Sequence, residues 1–222
     1  MKNKFFKIFF LISTLSCTHT NSFIFNPSPK IEKTNRYGTL VVLPLKDSRE
    51  TEYVDYRLLS FIPFVPYGTK YSSQFEKDGG SFNFRPKYDI TYAVAEEIEA
   101  NSLFKETYIP NRISKADGDY FLSIDLKKTK TKQTMTTYMI SILGVYLWIL
   151  GLPMQYDEIS VSLHFEIRNK QGVLIFQKTY EKNDSNFDGY YYMTGLNEKI
   201  NSSFENIIKE FVSDIRTLKL KI

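Results

Sequence analysis

Cysteine is nearly absent. The 222-residue chain holds one, Cys17, so no intramolecular disulfide can form and no cysteine cage for a metal exists. Histidine is almost as scarce. His19 lies in a polar stretch near the amino end, and His164 falls on the polar side of an alternating segment, where a lone imidazole reads as a solvated residue rather than a ligand or base. The phosphate-cradling Gly-x-x-x-x-Gly-Lys-Ser/Thr loop, the His-Glu-x-x-His helix and the Gly-x-Ser-x-Gly elbow are all missing. Excess charge is missing too. The formal net charge is +4, but Lys2, Lys4 and Lys7 stand in a leader without acids, and removing these three from 29 leaves 26 basic side chains against 25 acidic ones. Such a balance demands no basic face, and nucleic-acid binding is not expected. What the chain does have is apolar mass, at 42%, and aromatic rings, at 16%, almost all Phe and Tyr. That is enough for one packed domain behind a leader.

The leader reads in three parts. Three lysines in the first seven residues form a positive region, Ile8 to Leu15 form an apolar run, and small Ser16 precedes Cys17. The apolar run is far short of the roughly 20 residues that span a bilayer. Thr14-Leu15-Ser16-Cys17 resembles the lipobox of bacterial lipoproteins, with Leu15 one place closer to the cysteine than is usual. The resemblance implies cleavage between Ser16 and Cys17 and a diacylglyceryl lipid, with a further acyl chain such as palmitate, on Cys17; two or three chains anchor a protein stably. An ordinary secretory signal with an incidental cysteine is the bland alternative. Thr18, in place of the Asp that retains enterobacterial lipoproteins in the inner membrane, implies the outer membrane, facing the periplasm. Residues 1–16 are thus expected as signal peptide and 17–37 as lipidated cysteine and flexible tether, rich in Thr, Asn, Ser, Pro and Lys.

Residues 38–222 are expected to form a single α+β domain. Gly38 to Lys46 is a β-branched run that Pro44 should interrupt. Asp89 opens a helix with Ile90, Ala93, Val94 and Ile98 on one face and Glu96, Glu97 and Glu99 off it. Phe104 to Ile109 reads as a short strand. Leu122, Ile124 and Leu126 alternate with polar residues, as do Ile159, Val161, Leu163, Phe165 and Ile167. Asn169 to Gly172 is a hairpin turn into a third strand, Val173 to Tyr180. Leu196, Ile200, Phe204, Ile207, Phe211 and Ile215 then recur at helical spacing. This order predicts a two-layer sandwich: a mostly antiparallel sheet of about four strands with two helices on one face, plus an apolar insertion.

The phrases Leu40-Val-Val-Leu-Pro-Leu, Ala93-Val-Ala-Glu-Glu-Ile-Glu-Ala-Asn-Ser-Leu-Phe-Lys-Glu and Asp119-Tyr-Phe-Leu-Ser-Ile-Asp-Leu resemble the TolB-N-terminal, LpoB and CsgG sort of periplasmic lipoprotein domain, over residues 38–182. That resemblance implies a scaffold or assembly role, and it carries no functional residues across.

Two segments do not suit a solvated surface. Residues 58–67 are apolar and hold Pro63 and Pro66; residues 138–154 run 17 residues without a charge. The second segment has three readings: a membrane span, a cover buried on the sheet, or an exposed patch that joins the first and contacts membrane or a partner. On the last reading, Phe61, Phe64, Tyr146, Leu147, Trp148 and Ile149 are the contact residues, with Trp and Tyr suited to a membrane interface. Smaller clusters have bland explanations beside sharp ones. Asp47 to Glu50 is either a charged turn or a polar site at a strand end. Lys127 to Lys132 is a solvated edge strand or an attractor of anionic lipid. Asp184 to Tyr192 is a tyrosine-rich loop that packs or makes contacts.

The expectation is a membrane-anchored envelope lipoprotein without catalytic activity, metal or cofactor beyond the lipid on Cys17. Its partners would be the membrane, reached by lipid and by residues 138–154, and an envelope protein not named by the sequence. The alternatives are an oligomeric secretion-channel lipoprotein that inserts residues 138–154 and an envelope enzyme with a site at Asp47 to Glu50.

Overall fold

The period-two segments of the sequence become the longest strands of the molecule. In the computed structural model, which describes residues 22–31, 37–55, 70–72, 83–111, 116–135, 144–189, 191 and 195–218, the strands are β1 (Tyr37–Val42), β2 (Lys46–Asp47), β3 (Tyr53–Asp55), β4 (Lys70–Ser72), β5 (Phe104–Tyr108), β6 (Tyr120–Met135), β7 (Pro153–Asn169) and β8 (Leu174–Gly189). The helices are α1 (Pro86–Ala100), between β4 and β5, α2 (Gly144–Ile149), between β6 and β7, and α3 (Leu196–Thr217) at the end.

Strand β6 is the spine. One edge pairs antiparallel with β7 along its whole length, from Tyr120↔Asn169 to Met135↔Gln155, and β7 pairs likewise with β8. The other edge takes three short strands in turn: β1 parallel at Tyr120–Leu122, β2 parallel at Asp125–Leu126 and β4 antiparallel at Thr131–Gln133. Beyond them lie β5, parallel to β1, and β3, antiparallel to β4. The described sheet therefore has eight strands and mixed direction, where about four mostly antiparallel strands were predicted. The β1–β5 pair is parallel because α1 carries the chain back to begin β5 beside β1. We call the end at Met135, Pro153 and Gly189 the tip, and the end at Tyr37, Tyr120 and Asn169 the base.

The lysine run is not an edge. It sits in the central strand, and a register shift between Leu126 and Lys128 explains its pattern. Leu122, Ile124 and Leu126 point to the core before the bulge, and Thr129 and Thr131 after it, so Lys128, Lys130 and Lys132 face outward. There they pair with Glu181, Glu52 and Glu158 at 2.9–3.1 Å.

Helices α1 and α3 cover the opposite face, as the two-layer reading expected. Ile159, Val161, Leu163, Phe165 and Ile167 of β7 are buried against Ile200, Phe204, Ile207, Phe211 and Ile215 of α3, and each such side chain contributes roughly 1.5–3 kcal/mol. The rings of Phe165 and Phe211 stack at 3.9 Å and 10°. At the base, the predicted hairpin closes on Gly172 at φ +80, with the Asn169 side chain accepting from the backbone of Gln171 and Val173. Helix α1 starts at Pro86, three residues before the predicted Asp89, because proline suits a first helical position.

Residues 22–31, expected within the tether, lie against the helices. Phe23 packs on Phe84 and Phe204 at 5.3 and 6.0 Å between ring centres, and Ile31 N–H donates to Ala100 at 2.9 Å. Glu97, expected off the apolar face, is buried and fastens this segment. Its carboxylate accepts from Ser28 N–H at 2.8 Å, Ser28 Oγ at 2.6 Å and Asn101 Nδ2 at 3.0 Å. Glu97→Ala is expected to speed amide exchange at Ser28 and Ile31 about tenfold, the equivalent of about 1.5 kcal/mol for a charge-assisted bond. Unchanged exchange there would show that the carboxylate does not hold the segment.

Candidate functional site

The tip gathers six of the thirteen exposed large apolar side chains among the described residues. Between β6 and β7, α2 ends in a Schellman turn: Gly151, at φ +87, donates to Trp148 at 3.0 Å, and Leu152 donates to Leu147 at 3.1 Å. The turn leaves Tyr146, Ile149, Leu150 and Leu152 at 64, 58, 78 and 45% exposure, with Leu147 and Trp148 half-buried. Tyr191 joins them by donating to the Ile149 carbonyl at 3.0 Å, and exposed Phe187 of β8 packs on Tyr156 at 4.8 Å. Of the sequence-selected contact residues, then, Tyr146, Leu147, Trp148 and Ile149 lie together, while Phe61 and Phe64 lie outside the described residues, as do Ser16 and Cys17. The strands that flank residues 56–69 end at the same place: Asp55 pairs with Lys70, and Lys70 with Gln133 near the end of β6. The described strands on either side of both apolar segments therefore have their near ends at the tip.

Just inside the tip is a constellation that the sequence reading passed over. Asp157 of β7, Asp188 of β8 and Lys199 in the first turn of α3 are each at most 5% exposed. Lys199 Nζ stands 3.4 Å from both Asp188 oxygens and 3.9 Å from Asp157 Oδ2. Gln155 and Asn186 add amide donors to the two carboxylates at 3.1 and 3.3 Å, and Asp157 Oδ1 is buried without a hydrogen-bond partner. Two buried acids share one ammonium. Burial pushes the Asp157 carboxyl up to about 6; Lys199 opposes the rise, and the neighbouring Asp188 carboxyl reinforces it. The signal was legible: one further step of the β7 alternation points Asp157 inward, and Lys199 stands three residues after Leu196 and four before Ser203, on the apolar stripe.

The other sequence candidates have structural duties. Arg49 is buried, forks onto both oxygens of Asp47 at 2.7 and 2.8 Å and reaches Thr129 Oγ1 at 2.7 Å, which clamps β2 to β6. The carboxylate proposed as part of a polar site is thus held in an ion pair. His164 Nδ1 lies 2.8 Å from Thr179 Oγ1 and its Nε2 3.3 Å from Gln177, on the polar outer face. A shallow groove of about 350 Å³ on that face runs between Lys128, Lys130, Tyr156, Ser160 and Asn183. The stretch read as a tyrosine-rich loop is largely strand, since β8 extends to Gly189.

No described helix is long and apolar enough to cross a membrane. No group of three or more His, Cys, Asp or Glu among the described residues is placed to hold a metal ion.

No protein-family model matches the chain, and no curated protein matches it. Among solved structures, an uncharacterized protein is similar at 9% identity, with 89% of this chain and 99% of that one covered and a TM-score of 0.43. A minor lipoprotein from Acinetobacter baumannii is similar at 10% identity, with 84% and 92% covered and a TM-score of 0.35. At these scores neither likeness bears on function.

Proposed function

We propose that the chain is a lipid-anchored bacterial envelope protein without catalytic activity, which binds or helps to assemble other envelope components. The leader ending at Cys17 supplies the anchor, and Thr18 favours the outer membrane, facing the periplasm. The observation that supports this reading best is the docking of residues 22–31. The first described residue, Ser22, stands five residues beyond Cys17, and a five-residue connection spans at most about 18 Å. A lipid on Cys17 would hold the domain close to its membrane, as suits a protein that works on neighbours in the same envelope.

The test is labelled palmitate with membrane fractionation. The native chain is expected to take up label and to resist a carbonate wash, while Cys17→Ala takes up none and is recovered in the soluble periplasmic fraction. Absence of label from the native chain, together with carbonate-resistant membrane binding of Cys17→Ala, would refute the lipid anchor. Mild crosslinking of the labelled protein in membranes should then capture a discrete envelope partner.

A further inference from the structure

We propose that the tip of the sheet seats in the surface of the same bilayer that holds the lipid on Cys17, with Tyr146, Ile149, Leu150 and Leu152 entering the headgroup and upper acyl region. The proposal rests on the lipid anchor and adds an orientation and a second membrane contact.

Three independent features point there. The first is the exposed side chains. Six of the thirteen exposed large apolar residues among the described ones, Tyr146, Ile149, Leu150, Leu152, Phe187 and Tyr191, belong to this one end. Isolated exposed apolar residues need no explanation, but a cluster marks a contact surface. The second is charge. From Gln133 to Tyr156 the chain has no Asp, Glu, Lys or Arg, while the rest of the outer face is laced with ion pairs. A protein-binding patch carries a polar rim with charges. A surface that enters lipid must shed them, because a charge in the hydrocarbon costs several kcal/mol. The Trp and Tyr of the segment suit the interface itself.

The third feature is reach, and it selects the bilayer as occupant. The docked amino-terminal segment runs from Ser22, whose carbonyl accepts from Asn201 of α3, down to Ile31 beside Ala100. Its amino end therefore points toward the tip. Helix α3 starts about 8 Å above Asn201 and ends about 25 Å below it at Leu218, where Tyr37 Oη donates to the Leu218 carbonyl at the base. A connection of at most about 18 Å from Ser22 cannot carry Cys17 to a bilayer lying against the base, but it reaches the tip side. Lys199, two residues before Asn201, already contacts the tip strands through Asp188 and Asp157. Anchor and apolar tip thus serve one surface, and the tether raises the local concentration of the tip at that surface.

The chain offers its own reporter, since Trp148 is the sole tryptophan. The complete lipoprotein is reconstituted into vesicles of phosphatidylethanolamine and phosphatidylglycerol, with or without bromine in the upper acyl chains. Trp148 emission is expected to shift to the blue and to be quenched by the brominated lipid. An Ile149→Asp, Leu150→Asp variant is expected to keep palmitate label and flotation with the vesicles while losing the quenching; both positions are exposed, so its circular dichroism should match the native chain. Unquenched Trp148 in a protein that floats and carries label would overturn the docking while leaving the lipid anchor intact. A blue shift that follows protein concentration and ignores brominated lipid would also overturn it and assign the tip to a second copy of the chain. If no label is incorporated, Cys17→Ser protein added to the same vesicles decides the matter alone: quenching upholds the tip contact without the anchor, and none removes both.

Discussion

Lys199→Met is expected to lower the stability of the fold by about 3–5 kcal/mol at neutral pH, the range for removing one partner of a buried ion pair. The Lys199 ammonium is the cation placed between Asp188 and Asp157, at 3.4 and 3.9 Å, and all three residues are at most 5% exposed. Methionine fills similar volume, so little of the loss comes from a cavity. It comes from two carboxylates left facing each other away from water, with Asp157 Oδ1 already lacking a partner. Urea unfolding is the measurement, and the midpoint should fall with little change of slope. The triple variant Lys199→Met, Asp157→Asn, Asp188→Asn separates charge from shape. It should recover most of the loss, because replacing a whole buried ionic group with neutral residues is close to cost-free. A loss under about 1 kcal/mol in the single variant, the size of a surface ion pair, would mean that water reaches the cluster and the account is wrong.

How much of this was legible in the sequence follows from which physical constraint each residue answers to. Ile159 to Ile167 and Ile200 to Ile215 obey a period imposed by one buried face, and both elements appear where that period placed them. The lysine run misled because a solvated face and a solvated edge demand the same residues. Lys128, Lys130 and Lys132 are outward on a fully paired strand, and nothing local to them reports the neighbours on either side. The parallel placement of β1 beside β5 is likewise a property of the path taken by α1, not of the strands. Residues 22–31 dock through two aromatic rings and a serine, too few contacts to set a period. The tip was half legible. The charge-free composition of residues 138–154 was visible, and the exposure of Tyr146 and Ile149 now favours a surface over a buried cover for the described part of it. Asp157 was in plain view, but an acid at the inward phase of a strand has meaning only with Lys199 opposite.

That same acid should make the protein behave unusually with pH. Most carboxylates in folded proteins are stabilised as anions, as Asp214 is here, where hydrogen bonds from Lys178 and Tyr180 hold its carboxyl below the usual range. Such a group adds stability above its unfolded value, and that stability is lost as pH falls through the folded one. Asp157 runs the other way. Its folded value is pushed up to about 6 from 3.8, chiefly by burial, so between these limits the native state binds the proton more tightly than the unfolded chain does. Stability must then fall as pH rises through that window, and the loss is complete above about 6. A shift of this size corresponds to about 3 kcal/mol at most. Asp157→Asn removes the titrating group, keeps the shape and offers an amide donor to Asp188. It is expected to be more stable than the native chain by about 1–3 kcal/mol at pH 7 and equal to it near pH 4. The check is the difference between the two stability curves, measured by urea unfolding from pH 4 to pH 8. A difference that grows as pH rises from 4 to 6 and then levels off is the signature of the buried acid; a flat difference, or one that grows toward low pH, would show that Asp157 is ionised in the native state without cost. The same cluster joins β7, β8 and the first turn of α3 directly behind the tip.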